Sequence, residues 1–221
     1  MTDPVKPRRA YRSTRRAELV AQTRRDIVMS AGQAFRERGY VGVTMPSIAD
    51  AAGVGVETIY RAFGSKAGLF KAVIDAAVAG GPSRAEVDVE ERPAIRAVID
   101  EPDPRRQVEL YAATQPGIHR RSGTLLLALA GAATTDPELR ALSDEIEGAR
   151  FTGQGRFVGM LAERGVLRPR LSIEDGSAIL WTLCSVAVYD SLVTRRGWSA
   201  ERYEAWLAQS LIDQLLPELE P

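Results

Sequence analysis

Residues 44–63 read TMPSIADAAGVGVETIYRAF, and they have the spacing of two short helices joined by a tight turn. Thr44 can cap the first helix, because its hydroxyl can accept an otherwise unpaired backbone N–H. Pro46 is tolerated in that first turn, where its missing N–H is no loss. Ile48, Ala49 and Ala52 then share one face. Gly53 ends the helix, since glycine readily takes the left-handed conformation that a sharp turn needs. Val54 plugs the corner. A second helix is expected from about Val56, with Ile59, Ala62 and Phe63 turned inward and the small Ala49 where the two axes cross. Gly55, Glu57, Thr58, Tyr60 and Arg61 face outward. Hydrogen-bonding groups on a short, rigid helix suit the major groove of DNA. A helical hairpin in a core would share this spacing, so the flanking sequence decides.

Upstream, Val20, Ile27, Ala31, Ala34 and Phe35 recur at helical spacing. They predict a helix that begins between Ala17 and Thr23 and ends at Gly39, with Arg36 and Arg38 in its last turn. Arg24 and Arg25 near its start are placed to reach phosphate. Before it, residues 1–16 carry Lys6, Arg8, Arg9, Arg12, Arg15 and Arg16 against Asp3 alone. This stretch reads as a flexible basic arm for phosphate or minor-groove contact. Downstream, Ser65 caps a helix to about Ala79, with Leu69, Phe70, Val73, Ile74 and Ala77 as buried positions. Lys66 lies in its first turn, where free N–H groups and an ammonium can hold one phosphate together. The full DNA-contacting set is Thr44, Gly55, Val56, Glu57, Thr58, Tyr60 and Arg61, with Arg24 and Lys66 from the flanking helices.

The formal net charge of the 221 residues is zero, but it is unevenly divided. Through Lys71 there are thirteen Lys/Arg and six Asp/Glu, which leaves sixteen and twenty-three for the remainder. A basic end joined to an acidic body points to polyanion contact at one end only. A hydrophobic content of 45% can bury a real core, in one domain or two small ones. The single Cys184 excludes an internal disulfide and a cysteine zinc cluster, and its apolar setting marks a buried thiol. No apolar run follows the basic N-terminus. The longest apolar stretches, residues 124–133 and 178–189, fall short of the ~20 residues that a bilayer crossing takes. The expectation is a soluble, cytoplasmic protein without a membrane partner.

Gly80 to Ser83 and the acidic stretch to Glu91 read as a loop, and past it every clear element is helical. Pro93 opens a short helix through Val98. Asp103-Pro104 opens another through about Thr114, which Pro116-Gly117 breaks. An apolar helix is expected over residues 118–133. A long one runs from Asp136-Pro137 to Glu163, weakened by Gly148, Gly153, Gly155 and Gly159. Ser172 caps a helix to about Arg195, and Ser199 caps the last, with Tyr203, Trp206, Leu207, Ser210, Leu211 and Leu215 on one stripe. No stretch has strand periodicity. The fold class is all-α: a basic arm at 1–16, a three-helix DNA-binding domain with its helix-turn-helix at 17–79, and a helical-bundle body at 80–221. The last two helices are too apolar to leave one face in water. A second copy of the chain is the simplest partner, and two such pairs make a four-helix bundle. Leu183, Tyr189, Trp206, Leu207 and Leu211 are the candidate dimer contacts. A dimer also presents two recognition helices about one DNA turn (~34 Å) apart, which suits an inverted-repeat site.

Over Arg24 to Asp75, through AFRERGY, TMPSIADAAGV, TIYRAF and SKAGLF, the chain resembles the tetracycline-repressor (TetR) family of transcriptional regulators. The tail WTLCSVAVYDSLVTRRGWSAERYEAWL is similar to the ligand-binding half of many such proteins. Three positions depart from the family's habit: Met45 where threonine is common, Gly55 where serine is common, and Glu57 where glycine or proline is common. Gly55 removes a hydroxyl that could bond a phosphate. Glu57 repels phosphate, yet can accept from a cytosine amino group. The resemblance implies a body that binds a small, mostly apolar effector. Tyr111, Gln115, His119 and Gln154 would orient it, with Phe151, Phe157, Met160 and Trp181 as walls. His119, followed by two arginines, reads as lying near a helix start close to solvent.

The implied function is a repressor released from its operator by the effector, acting without cofactor or metal. An activator of the same fold and a nonspecific architectural DNA-binding protein are the alternatives. An enzyme is disfavoured. There is no glycine-rich phosphate loop, no paired metal ligands, and no Ser/His/Asp or Cys/His set that one histidine could complete.

Overall fold

The Thr44 cap forms as its position suggests. In the computed structural model, which describes residues 8–218, the Ser47 N–H donates to the Thr44 hydroxyl and the Thr44 N–H donates to the Ser47 hydroxyl, both at 3.3 Å. This reciprocal box opens helix α2 (Met45–Ala52). Gly53 closes it in the left-handed region at φ 66°, and α3 (Val56–Phe63) follows after Val54 and Gly55. The chain divides into two units, with the boundary between Ala76 and Ala77 inside helix α4 (Lys66–Ala79).

The first unit packs α1 (Arg8–Arg38), α2, α3 and most of α4 around Ile27, Ala31, Phe35, Ile48, Ile59, Leu69 and Phe70. Phe35 and Phe70 meet edge to face at 4.8 Å, and Tyr40 lies 5.1 Å from Phe70. The Gly68 N–H donates to Ser65 Oγ at 3.1 Å, the expected cap of α4. A Cβ at Gly68 would collide with the Phe63 carbonyl, so the close approach of α4 to the end of α3 requires glycine there. Two expectations are corrected. Helix α1 begins at Arg8, so residues 8–16, read as part of a flexible arm, are helical. Arginine and alanine are good helix formers, and no proline or glycine follows Pro7 in this stretch. Residues 1–7 of that arm lie outside the described residues. Val20 is 63% exposed, and the fully buried face of α1 begins at Ile27.

The second unit is wholly helical among the described residues. After the short α5 (Pro82–Ala85) and a 3-10 turn at Val89–Glu91 come α6 (Pro93–Asp100), α7 (Pro104–Ala132), α8 (Pro137–Glu163), α9 (Ile173–Leu183), α10 (Val186–Tyr189) and α11 (Ala200–Leu215). The expected caps are made by Asp103, Asp136, Ser172 and Ser199. The core joins Val108 and Ala112 of α7, Phe157, Val158 and Leu161 of α8, Leu180 of α9, and Tyr203, Leu207, Leu211 and Leu215 of α11.

Helix α7 runs unbroken through Pro116, against the expected break. Proline costs about 3 kcal/mol inside a helix, and here Pro116, Ala112 and Gln115 are buried, so tertiary packing offsets it. Helix α8 likewise continues through all four glycines. The expected single helix from Ser172 to Arg195 is instead interrupted at Cys184 and Ser185. The Ser185 hydroxyl caps α10, which passes into a π-helical turn at Asp190–Arg195. Taken as one run, Ile173–Arg195 is long and apolar enough to cross a membrane, contrary to the length argument. Leu180 and Cys184 of this run lie in the helical core, and Arg150 donates to the Trp181 and Cys184 carbonyls at its interruption.

Candidate nucleic-acid interface and effector site

Helix α3 has one buried side chain, Ile59, at its centre. Glu57, Tyr60 and Arg61 are exposed, Tyr60 at 50%, while Val56 and Thr58 are half-buried. Arg61 donates to Thr58 Oγ1 at 3.4 Å, so the two side chains form one polar edge. Gly55 is the N-cap residue and offers no side-chain hydroxyl. Glu57 stands in the first turn, and a Cβ at Gly55 would lie 3.2 Å from its Oε2. A carboxylate near a helix N-terminus is stabilised by the positive end of the helix dipole. Thr44 is exposed beside this face, with its hydroxyl engaged in the cap.

Arg24 and Lys66 have roles inside the domain. Arg24 Nη1 donates to the Ala62 carbonyl at 2.5 Å, and its guanidinium lies 4.2 Å above the Phe63 ring. It therefore fixes the C-terminal turn of α3 against α1. Lys66 Nζ sits 4.3 Å from the centre of the Tyr40 ring, and partial burial lowers its pKa.

In the second unit, the structure gathers Tyr111, His119 and Gln154, from α7 and α8, around Cys184. His119 lies in the middle of α7 and is 5% exposed, not at a helix start near solvent as expected. The reason is the continuity of α7 through Pro116. Its ring is 5.0 Å from Tyr189 and 6.5 Å from Tyr203, and Tyr111 stacks on Phe157 at 4.4 Å. Burial lowers the His119 pKa to about 4, and the positive Arg150 adds to this. The Cys184 backbone pulls the other way, yet neither ring nitrogen has a hydrogen bond of ordinary geometry. Burial raises the Tyr111 and Tyr203 phenols and pushes the Cys184 thiol up to about 12.

The other effector candidates are placed differently. Gln115 is buried and donates to Thr114 Oγ1 at 2.9 Å. Phe151, expected as a wall, is 38% exposed, because the helices covering Gln154 and Phe157 do not extend over it. Trp181 is half-buried; its indole N–H donates to Glu147 at 2.8 Å, and the Arg150 guanidinium lies 4.9 Å from its ring. Arg150 also donates to Glu147 at 2.7 Å and to the carbonyls of Trp181 and Cys184 at 2.8 and 3.4 Å, where the backbone is interrupted. Sequence reasoning missed Tyr203 as a member of this group. It was assigned to an apolar packing stripe, and only its hydroxyl signals otherwise.

Of the dimer candidates, Leu207 and Leu211 are completely buried in the protomer's own core and offer nothing to a partner. The α11 stripe is already covered by α7 and α9. Tyr189 packs on Tyr203, and Trp206 meets Trp198 and Tyr203, each at 5.0 to 6.0 Å. Leu183 lines an open groove of about 550 Å³ between α9 and α11, with Ile179, Thr182, Ser210 and Gln214. Among the described residues, no three of His, Cys, Asp and Glu are grouped to hold a metal ion.

Residues 27–73 match the family model described as bacterial regulatory proteins, tetR family. No curated protein sequence matches the chain. Solved structures share the whole architecture. A Rhodococcus sp. protein described as a TetR-family transcriptional regulator superposes with a TM-score of 0.66 at 18% identity, over 86% of this chain and 97% of its own. NalD, the secondary repressor of the MexAB-OprM multidrug efflux pump in Pseudomonas aeruginosa, does so at 0.66 and 20%, over 89% and 97%. A transcriptional regulator from Saccharomonospora viridis, in complex with choline, gives 0.65 and 20%, over 89% and 99%. At these identities the likeness speaks for the fold.

Proposed function

We propose that this chain, a member of the TetR family of bacterial transcriptional regulators, represses transcription from an inverted-repeat operator as a homodimer and leaves it when a small, mostly apolar molecule enters its body. The observation that carries the DNA-binding part is α3. It is a short, turn-mounted helix anchored by Ile59 and Arg24, with Glu57, Tyr60 and Arg61 exposed along it. Eight residues of helix read only a few base pairs, so two copies are needed for useful affinity and specificity. The second copy docks on the α9–α11 face at Leu183, where apolar side chains line a groove open to solvent. The repressor role of NalD and the choline held by the S. viridis protein support the sign of regulation and a small organic effector.

Arg121 of α7 supplies a route for release. It donates to the carbonyls of Ala77 and Val78, at the end of α4, at 2.9 and 3.2 Å, two residues along from His119. An effector that shifts α7 moves the end of α4, and α4 leads back to the DNA-binding unit. The effector acts only through its differential affinity for the two arrangements. No step requires turnover, a cofactor or a metal, and the protein works in the cytoplasm, where its operator is.

The test is retention of genomic fragments by the purified protein at near-physiological salt, followed by sequencing. A shared inverted repeat is the expected result. Retention without any shared sequence favours an architectural role. An operator complex indifferent to every molecule shown to bind the body overturns release by an effector.

A further inference from the structure

Buried polar side chains in the second unit fall into two groups. Gln107 is satisfied: its amide N–H donates to the Val98 carbonyl at 2.9 Å, and its oxygen accepts from Arg164 at 2.9 Å. Ser122 and Ser177 donate to carbonyls one turn back. His119 Nδ1 and Nε2, Gln154 Oε1 and the Tyr203 hydroxyl have no hydrogen bond of ordinary geometry, although the three residues are 5%, 4% and 0% exposed; the Cys184 backbone acts on His119. Unpaired buried polar atoms are rare and costly. Here they come from α7, α8 and α11 and are collected around Cys184. Tyr189 stands 5.0 Å from both the His119 and the Tyr203 rings, and perpendicular to the latter at 87°.

We infer that these atoms are the hydrogen-bonding frame of the effector site, and that the effector is an uncharged, ring-bearing molecule with both a donor and an acceptor. The inference rests on the effector reading above and names the chemical class that it takes. A neutral imidazole offers one N–H and one bare nitrogen, Gln154 Oε1 accepts, and the Tyr203 hydroxyl does either. The surrounding rings favour an aromatic guest through offset or edge contacts. Charge is disfavoured in both signs. Arg150 is the cation nearest the group, which repels a second cation. Its donors are engaged by Glu147 and by the carbonyls of Trp181 and Cys184, so an anion would have to break that pairing.

The test uses the full-length protein and matched triplets of small aromatics, each ring system (phenyl, indolyl, naphthyl) presented as an alcohol, a carboxylate and an ammonium. Binding is read by calorimetry. The alcohols are expected to bind, with the charged partners at least tenfold weaker. Tyr203→Phe and Gln154→Met are each expected to lower alcohol affinity at least tenfold, and Tyr203→Phe, which removes an unpaired buried hydroxyl, to raise the Tm of the free protein by about 2–4 °C. A merely structural role gives the opposite sign in Tm. A carboxylate or ammonium that binds best, no binding by any triplet, alcohol affinity unmoved by both variants, or a lowered Tm in Tyr203→Phe overturns the assignment. These readings need no DNA. Alcohol binding that leaves operator affinity unchanged would sink the release mechanism and leave the site assigned.

Discussion

The two units treat polar groups in opposite ways. In the first, the polar groups around α2 and α3 find partners within a few residues: Thr44 with Ser47, Ser65 with Gly68, Arg61 with Thr58. In the second, the centre holds four polar atoms without partners and a helix interrupted at Cys184 and Ser185. The first is built to hold one shape against a rigid ligand. The second keeps hydrogen-bonding capacity in reserve at its core, as the proposed response to a small molecule requires.

Substitutions sharpen this contrast. The largest effect is expected from Phe70→Ala, which empties the ring cluster with Phe35 and Tyr40 and costs about 3–5 kcal/mol, measurable by denaturant unfolding. Next comes acid. The unfolded His119 titrates near pH 6.5 and the folded one at about 4, facing Arg150, Tyr189, Tyr203 and Cys184. The unfolded chain takes the proton first, so stability is complete above about pH 6.5 and declines toward about pH 4, by about 3 kcal/mol in all. His119→Gln should flatten that slope, and an unchanged slope would place the imidazole in water. Tyr60→Ala should weaken operator binding by about 1–3 kcal/mol with unfolding and dimerisation unaltered. Unchanged affinity would mean that another face reads the DNA. The smallest effect is expected from Arg121→Gln: operator and effector each bind nearly as before, while the coupling between them falls by about 1 kcal/mol. Full coupling in that variant would remove Arg121 from the route.

What the sequence revealed follows the same division. Caps are local, so Thr44, Asp103, Asp136, Ser172 and Ser199 could be read one by one, and with them most helix starts. Gly53 at positive φ and the buried Ile59 were legible for the same reason. The misreadings arose where distant packing decides. Pro116 has the local signature of a break, and burial among neighbouring helices overrides it. The stripe holding Leu207 and Leu211 has the periodicity of any apolar face, which does not say whether the protomer or a partner covers it. Tyr203 belongs to that stripe by spacing and to the group of unpaired buried polar atoms by its hydroxyl. Cys184 and Ser185 lie in an apolar run, and at its interruption Arg150, thirty-four residues before Cys184, donates to the carbonyls of Trp181 and Cys184.

The position of Arg24 bears on how the complex responds to ionic strength. A basic side chain that contacts a DNA phosphate releases counterions, and the logarithm of the binding constant falls with the logarithm of salt by about 0.9 per phosphate contacted. Arg24 is turned to the Ala62 carbonyl and the Phe63 ring, and Lys71 to Asp75 at 2.9 Å. Side chains held in this way displace fewer ions from the duplex than free ones would. The thirteen basic residues through Lys71 therefore overstate the salt slope, and operator binding should persist at ionic strengths that strip a protein of the same charge but looser construction.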